Sequence, residues 1–233
     1  MSLLKNIFAD TLHLFYPHIC TGCGSDLLGK DQMLCLKCIN DLPHTGFAPF
    51  TNNPVEKHFI GRLPVVAAHS EFYFSKGSLM QQLIHQLKYR DNPGIGAYLG
   101  ELMGFSLIKT DRFKHIDALI PLPLFADKEQ QRGYNQAAVI CEGLSSILNI
   151  PMLLGNVTRE RFTETQTRKH RTERWENVHK SFAVKDRQLL SGKHLLLVDD
   201  VVTTGATLEA CGRVILQATN ARLSIATLAL ASK

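Results

Sequence analysis

The chain has no uninterrupted run of about 18 apolar residues, so no membrane-spanning helix is expected. It has no internal repeat, no low-complexity tract and a single tryptophan, Trp175. Residues 1–17, MSLLKNIFADTLHLFYP, lack a clean apolar segment ending in a small-residue cleavage site; no secretory signal is expected, and the expected location is cytoplasmic. Leu3, Leu4, Ile7, Phe8, Leu12 and Phe15 instead fall near helical spacing. They predict an amphipathic helix packed on the body, with a membrane-surface anchor as the alternative. The ten histidines show no metal-ligand spacing. The excess of basic over acidic residues is confined to one place. Residues 159–193 carry 10 Lys or Arg against 5 Asp or Glu, while the rest of the chain carries 16 of each, so the whole excess of +5 sits in one segment. Such a segment suits pyrophosphate or nucleic acid; the alternative is a solvated loop with scattered charge.

What is present is enough apolar material, 45% of 233 residues, for one large domain or a medium domain with a small one beside it. Four of the six cysteines form two pairs, Cys20-Thr-Gly-Cys23 and, eleven residues on, Cys35-Leu-Lys-Cys38. Two CxxC pairs at short separation can bring four thiolates to one tetrahedral centre, and Gly24 favours the tight turn such a knuckle needs. Zinc is the expected ion. Four thiolates leave it no open position, so its role would be structural. A disulfide pair competes, but nothing marks the chain as exported. Cys141 and Cys211 lie in apolar helical contexts and read as core residues. Residues 39–64 are loop-like, with Pro43, Gly46, Pro49, Pro54, Gly61 and Pro64. The expected division is therefore a cysteine module over 1–60 and a main domain over 61–233.

The stretch 194–207, HLLLVDDVVTTGAT, is the most informative. Leu195 to Val198, then Val201 and Val202, read as a buried parallel strand, and Asp199 and Asp200 sit at its carboxyl end, where open α/β sheets bind ligands. The following turn offers backbone N–H groups and hydroxyls at a helix N-terminus, a site for phosphate. Two acids beside a phosphate cradle point to a sugar phosphate, with hydroxyls on the acids and phosphate on the loop. The arrangement resembles the motif by which type I phosphoribosyltransferases bind 5-phosphoribosyl-1-pyrophosphate (PRPP). The resemblance assigns the ribose 2′- and 3′-hydroxyls to Asp199 and Asp200, and the 5′-phosphate to Val202, Thr203, Thr204, Gly205, Ala206 and Thr207.

Elsewhere, apolar patterning predicts strands over 63–74, 116–120, 152–158, 194–200 and 222–230, and helices over 78–88, 93–108, 135–148 and 206–218. Alternating strands and helices imply an α/β fold with a mostly parallel sheet. The turn 120–136, IPLPLFADKEQQRGYNQ, again follows a strand and is a second ligand position. It presents Pro121 and Leu122, then Lys128 and Arg132 for phosphate, with Asn135 as an amide donor or a helix cap. Residues 159–182 show no clean period and carry Arg161, Thr165, Gln166, Arg168, Arg171, Arg174 and Asn177. A polar, Arg-rich stretch between two strands suits a lid over pyrophosphate. Trp175 there would anchor the lid or stack on a base. Lys88, in LKYR after an apolar helix face, reads as a surface lysine with the sheet edge within reach.

Together these features resemble the ComF family (ComFC or GntX-like proteins). They are the paired CxxC knuckles, LKYR at 87–90, the PLPL turn at 121–124, QRGYNQ at 131–136, TETQTRKHRTERWEN at 163–177 and the VDDVVTTGAT strand and loop. The match runs in the family's order from residue 20 to 230. One departure is visible: many relatives have His-Pro after the turn, and this chain has Phe125-Ala126. The resemblance implies a type I phosphoribosyltransferase fold behind a zinc ribbon. It also implies magnesium-dependent ribose-phosphate chemistry, with Arg132, Arg168 and Arg171 on the departing pyrophosphate. Its third implication is a link to natural transformation and DNA uptake, beside a ComFA-like helicase. The rival expectation is a non-catalytic PRPP- or nucleotide-sensing protein that holds single-stranded DNA or that helicase. Aromatics for stacking on a single strand are sparse in the basic segment: Phe162, Trp175 and Phe182. Ammonia transfer from glutamine is not expected, since no nucleophilic cysteine follows Met1 and no glutaminase domain is present.

Overall fold

A computed structural model describes residues 19–26, 32–89, 92–160 and 181–231. The expected N-terminal helix and most of the basic excursion, including Arg168, Arg171 and Trp175, lie outside the described residues. In chain order the elements are α1 (Leu36–Asn40), α2 (Pro54–Lys57), β1 (Ala68–Phe74), α3 (Leu79–Tyr89), α4 (Pro93–Leu107), β2 (Ala118–Pro121), α5 (Ala126–Arg132) and α6 (Gln136–Leu148), followed by β3 (Val157–Arg159), β4 (Phe182–Val184), β5 (His194–Val202), α7 (Ala206–Ala218) and β6 (Arg222–Ala231).

Four strands pair in the order β1-β6-β5-β2, every neighbour parallel. The continuous apolar run of β5 is explained by its place between two partners, with helices on both faces. Leu196 and Val198 enter one core with Leu83 and Leu87 of α3, Leu99 and Met103 of α4, and Ile140 and Leu144 of α6. Leu195 and Leu197 enter the other with Val55, Phe59, and Leu208, Cys211 and Ile215 of α7. Each such fully buried aliphatic side chain contributes about 1.5–3 kcal/mol. Cys20, Leu34, Cys38 and Leu42 of the cysteine segment pack in the first of these cores, against the same sheet.

Local signals set the helix ends. Asn92 caps α4, with Pro93 in its first turn; Asn135 caps α6, accepting from the N–H of Ala137 at 2.9 Å. Helices α4 and α6 cross backbone on backbone. A Cβ at Gly143 would lie 1.9 Å from the carbonyl oxygen of Ala97, a position only glycine can take.

Both outer strands are partly covered. Beside β1, the N–H groups of Thr45 and Tyr73 donate to Glu71 and Pro43 carbonyls at 2.9 and 2.8 Å. Beside β2, the N–H groups of Leu119 and Leu153 donate to Pro151 and Leu119 carbonyls, each at 2.9 Å. The expected strand over 152–158 is thus split. Met152 bridges to β2, and the chain then leaves for the antiparallel pair β3–β4. The expected strand over 63–74 begins only at Ala68, beyond Pro64.

Glu71 on β1 is buried and accepts from Nδ1 of His44, Nε2 of His69 and Oγ of Ser106, each at 2.8 Å. Burial pushes its carboxyl up, but these hydrogen bonds outweigh it and hold the group down to about 2.

Candidate functional site

β5 delivers Asp199 and Asp200 to the carboxyl edge of the sheet, next to the end of β2. The N–H of Leu122 donates to the carbonyl of Val198 at 2.8 Å, so the turn after β2 leaves the sheet directly beside the acids. Pro121 and Leu122 are themselves buried, as is Val202. The Leu122 carbonyl accepts from Nδ2 of Asn135 at 3.1 Å, so one side chain both caps α6 and closes the turn.

A cavity of about 160 Å³ opens here, lined by Lys88, Leu124, Arg132, Arg159, both acids and Thr207 among others. Asp200 is the more enclosed acid, and its Oδ2 is 2.6 Å from Nζ of Lys88. Oδ1 of Asp199 accepts from the N–H of Asp200 at 2.8 Å. Desolvation, joined by the negative charge of Asp200, pushes the Asp199 carboxyl up to about 8, against the opposing pull of that N–H, Lys88 and Arg159. Burial and the neighbouring acid thus outweigh the nearby cations at Asp199.

Beyond the acids the chain turns at Gly205, whose φ of 73° is left-handed and which serves as N-cap of α7. A Cβ there would lie 3.0 and 3.2 Å from ring atoms of Phe59, so the loop is pressed against the segment before β1. Thr203 and Thr204 are exposed, Gly205 is buried, and Ala206 and Thr207 are half-buried. The exposed hydroxyls and the start of a thirteen-residue helix offer donors to an anion.

Arg132 closes α5, donates from Nη1 to Oε1 of Gln136 at 2.7 Å and lies 5.6 Å from the Tyr89 ring centroid. It also borders a second, larger cavity of about 710 Å³ with Lys88, Tyr89, Lys128, Gln130, Gln131 and Gly133. Lys128, expected to reach phosphate, lines this outer cavity and not the inner one.

Three cations that sequence reasoning left without a role stand at the site. Lys88 carries a legible signal, lying one helical turn beyond Ile84 on the edge of the apolar face of α3. Arg159 ends β3 with its guanidinium 4.2 Å from the Phe125 ring centroid and 5.0 Å from that of Phe182. Desolvation lowers its pKa, and its Nε is buried without a hydrogen-bond partner. Arg62 braces the loop before α7 from outside, donating to the Thr204 carbonyl, and nothing local in the sequence announces it.

The cysteines form the second candidate centre. Their four Sγ atoms all lie within 4.8 Å of one another, with Cys23 and Cys35 Sγ 3.7 Å apart. Edges of this length fit a tetrahedron of thiolates about a metal with bonds of about 2.3 Å. The N–H of Cys35 donates to Sγ of Cys20 at 3.2 Å. Burial pushes the Cys20 thiol up, but hydrogen bonds from the backbone of Cys23, Cys35 and Gly22 prevail and hold it down to about 6. Cys141 and Cys211 are buried in the two cores. No helix among the described residues is long and apolar enough to cross a membrane.

Comparison with known proteins finds similarity to one family and several named relatives. A family described as the phosphoribosyl transferase domain matches residues 135–233. Competence protein F of Haemophilus influenzae is 28% identical over 208 residues, covering 88% of this chain and 86% of that protein. Competence protein ComFC of Bacillus subtilis is 28% identical over 205 residues, covering 82% of this chain and 81% of that protein. DNA utilization protein YhgH of Escherichia coli is 30% identical over 141 residues, covering 59% of this chain and 61% of that protein.

Proposed function

The chain belongs to the ComF family and has the type I phosphoribosyltransferase fold, and from that premise we propose that it binds PRPP with magnesium and transfers the ribose 5-phosphate to an acceptor. One observation carries this reading: Asp199 and Asp200 lie near the carboxyl end of the central strand, past the end of β2 and beside a cavity, and the loop at Gly205 opens a helix shortly beyond them.

Asp199 and Asp200 would accept hydrogen bonds from the ribose 2′- and 3′-hydroxyls. Val202, Thr203, Thr204, Gly205, Ala206 and Thr207 would hold the 5′-phosphate. Pro121, Leu122 and Lys128 would contribute to PRPP binding, and Arg132, with Arg168 and Arg171, would stabilise the departure of pyrophosphate. The bond from the anomeric carbon to pyrophosphate breaks with its electron pair going to pyrophosphate, and the acceptor's lone pair forms the new bond. Positioning and charge suffice for this step, and no side-chain nucleophile is required. Carboxylate and phosphate oxygens are the hard donors magnesium takes. When bound, magnesium supplies neutralising charge to the leaving group.

We assign residues 1–60 to the cysteine module and 61–233 to the phosphoribosyltransferase-like domain. Cys20, Cys23, Cys35 and Cys38 would hold a structural zinc, in a cytoplasm that keeps them reduced. The names of the relatives support a role in competence and DNA uptake. Calorimetric titration of PRPP with magnesium into the zinc-loaded protein tests the central reading, with Asp199→Asn/Asp200→Asn as control. Binding that is lost in the control supports it, and absence of binding to the intact protein overturns it.

The outer cavity favours a second reading, a non-catalytic PRPP- or nucleotide-sensing protein that binds single-stranded DNA or a ComFA-like helicase. Among the described residues Lys88, Lys128 and Arg132 line it with no acid, beside the exposed ring of Tyr89. Phosphate-driven binding must weaken steeply with salt. Flat or absent binding of an oligonucleotide removes this reading.

A further inference from the structure

Three consecutive residues at the end of α3 hold three separate parts of the molecule. Nε2 of Gln86 donates to the carbonyl of Thr21, inside the first cysteine knuckle, at 2.7 Å. The Leu87 carbonyl accepts from the Tyr134 hydroxyl, in the turn before α6, at 2.5 Å. Nζ of Lys88 lies 2.6 Å from Oδ2 of Asp200. The other end of the helix meets the same knuckle, since a Cβ at Gly22 would lie 2.9 Å from Cδ1 of Leu79. Helix α3 is thus fixed at both ends by the cysteine segment, and it carries an ammonium into the acid pair.

That ammonium occupies a carboxylate oxygen that the sugar hydroxyls need. Asp200 cannot serve both fully, so a bound ribose displaces Lys88. The Lys88 side chain is 23% exposed and borders both cavities, so a displaced ammonium stays among Arg132, Lys128 and Arg159 and requires an anion of its own. Its flexible four-carbon stem lets it swing where a guanidinium fork could not.

We propose that Lys88 is a pyrophosphate-contacting residue of the ribose-phosphate site, stored on Asp200 until the sugar hydroxyls claim that carboxylate, and that Gln86 positions it from the cysteine knuckle. The inference rests on the PRPP reading above. It makes the resting ion pair a placeholder for substrate, and it makes the cysteine segment part of what aims the site.

The test is calorimetric titration of PRPP, of inorganic pyrophosphate and of ribose 5-phosphate, each with magnesium, into the full zinc-loaded chain and its Lys88→Met, Lys88→Arg and Gln86→Leu variants. Loss of a charge-assisted hydrogen bond predicts that Lys88→Met weakens PRPP and pyrophosphate about 10- to 100-fold, while ribose 5-phosphate binds as well as before or better because no ion pair must be broken. Lys88→Arg restores part of the loss. Gln86→Leu weakens pyrophosphate in the same pattern, and adds nothing when combined with Lys88→Met. Unchanged pyrophosphate affinity in Lys88→Met overturns the inference, as does a parallel fall for all three ligands, which a merely structural ion pair would give. Normal wild-type binding in those cases leaves the PRPP reading standing; failure of the intact protein to bind any of the three removes both.

Discussion

Nη1 of Arg62 donates to the carbonyl oxygen of Thr204 at 2.9 Å, tying the segment before β1 to the loop before α7. The same guanidinium donates to the carbonyl of His58 and, through Nε at 2.8 Å, to Oε2 of Glu209, a residue of the first turn of α7 that is only 4% exposed. Arg213 completes the arrangement on Oε1 of Glu209. The loop is thereby held without a ligand; under the proposed reading, this lowers the cost of ordering it when phosphate binds.

Arg62→Ala should therefore cost about 1–3 kcal/mol of stability in urea unfolding, since Glu209 stays buried with Arg213 as its remaining partner. It should also weaken PRPP binding although Arg62 does not face the acids. Arg62→Lys should recover only part, because an ammonium cannot reproduce the fork. Wild-type stability in Arg62→Ala would mean that Phe59 packing alone holds the loop.

The raised pKa of Asp199 makes stability depend on pH in a defined direction. Unfolded, the carboxyl ionises near its ordinary 3.8; folded, it holds its proton to about 8. The unfolded state therefore releases its proton first, and stability declines as pH rises through that window and levels above it. Asp199→Asn removes the penalty. Its melting temperature should exceed that of the wild type at pH 8, converge with it at pH 4, and be accompanied by loss of PRPP binding. A gap between the two proteins that does not change with pH would contradict the assignment.

The cysteine cluster should hold one zinc per chain, measurable by elemental analysis of protein purified without chelator. Cys38 is buried among Leu34, Leu42 and Met80 in the core shared with the sheet. Cys38→Ser should release the metal and lower the melting temperature of the whole chain, because ligation contributes folding energy. Full zinc content in that variant would exclude Cys38 as a ligand.

The α4–α6 crossing gives a prediction independent of function. Gly143→Ala places a methyl group against the backbone of Ala97 and should cost about 2–4 kcal/mol, because neither helix can move away without opening the core. Denaturant midpoints compared with wild type measure it; a loss well below 1 kcal/mol would show that the helices slide freely.

The alternation of strands and helices is legible in the sequence, and so is the position of the acids at the end of β5. An apolar run long enough for a buried strand, broken by Asp199-Asp200, would bury two uncompensated charges unless the acids sat at the strand's open end. Helix α7 spans the expected 206–218, and α6 ends at Leu148 as expected, beyond which Asn149 turns left-handed with φ 55°. Helix α5 is not legible: ADKEQQR has no buried residue, so no periodicity marks it. The helices α1 and α2 are too short to show a period. Most of what shapes the site is a matter of distance along the chain. Arg62 and Glu209 are 147 residues apart, and the lysine of LKYR finds its carboxylate only when α3 is laid across the carboxyl edge of the sheet. Hydrophobic patterning locates elements, but it carries no information about which polar groups those elements bring together.

Residues 43–45 lie along β1 and residues 151–153 along β2, so backbone donors and acceptors on both flanks of the sheet are already engaged by short local segments. An exposed strand flank is the usual template for accidental self-association, and here each flank is blunted by a piece of chain too short to pair further. A second copy or a helicase seeking this protein would find little backbone to extend. Recognition would fall to side chains on the helices and on the rim of the cavities, and partner choice could then change by surface substitution without disturbing the sheet.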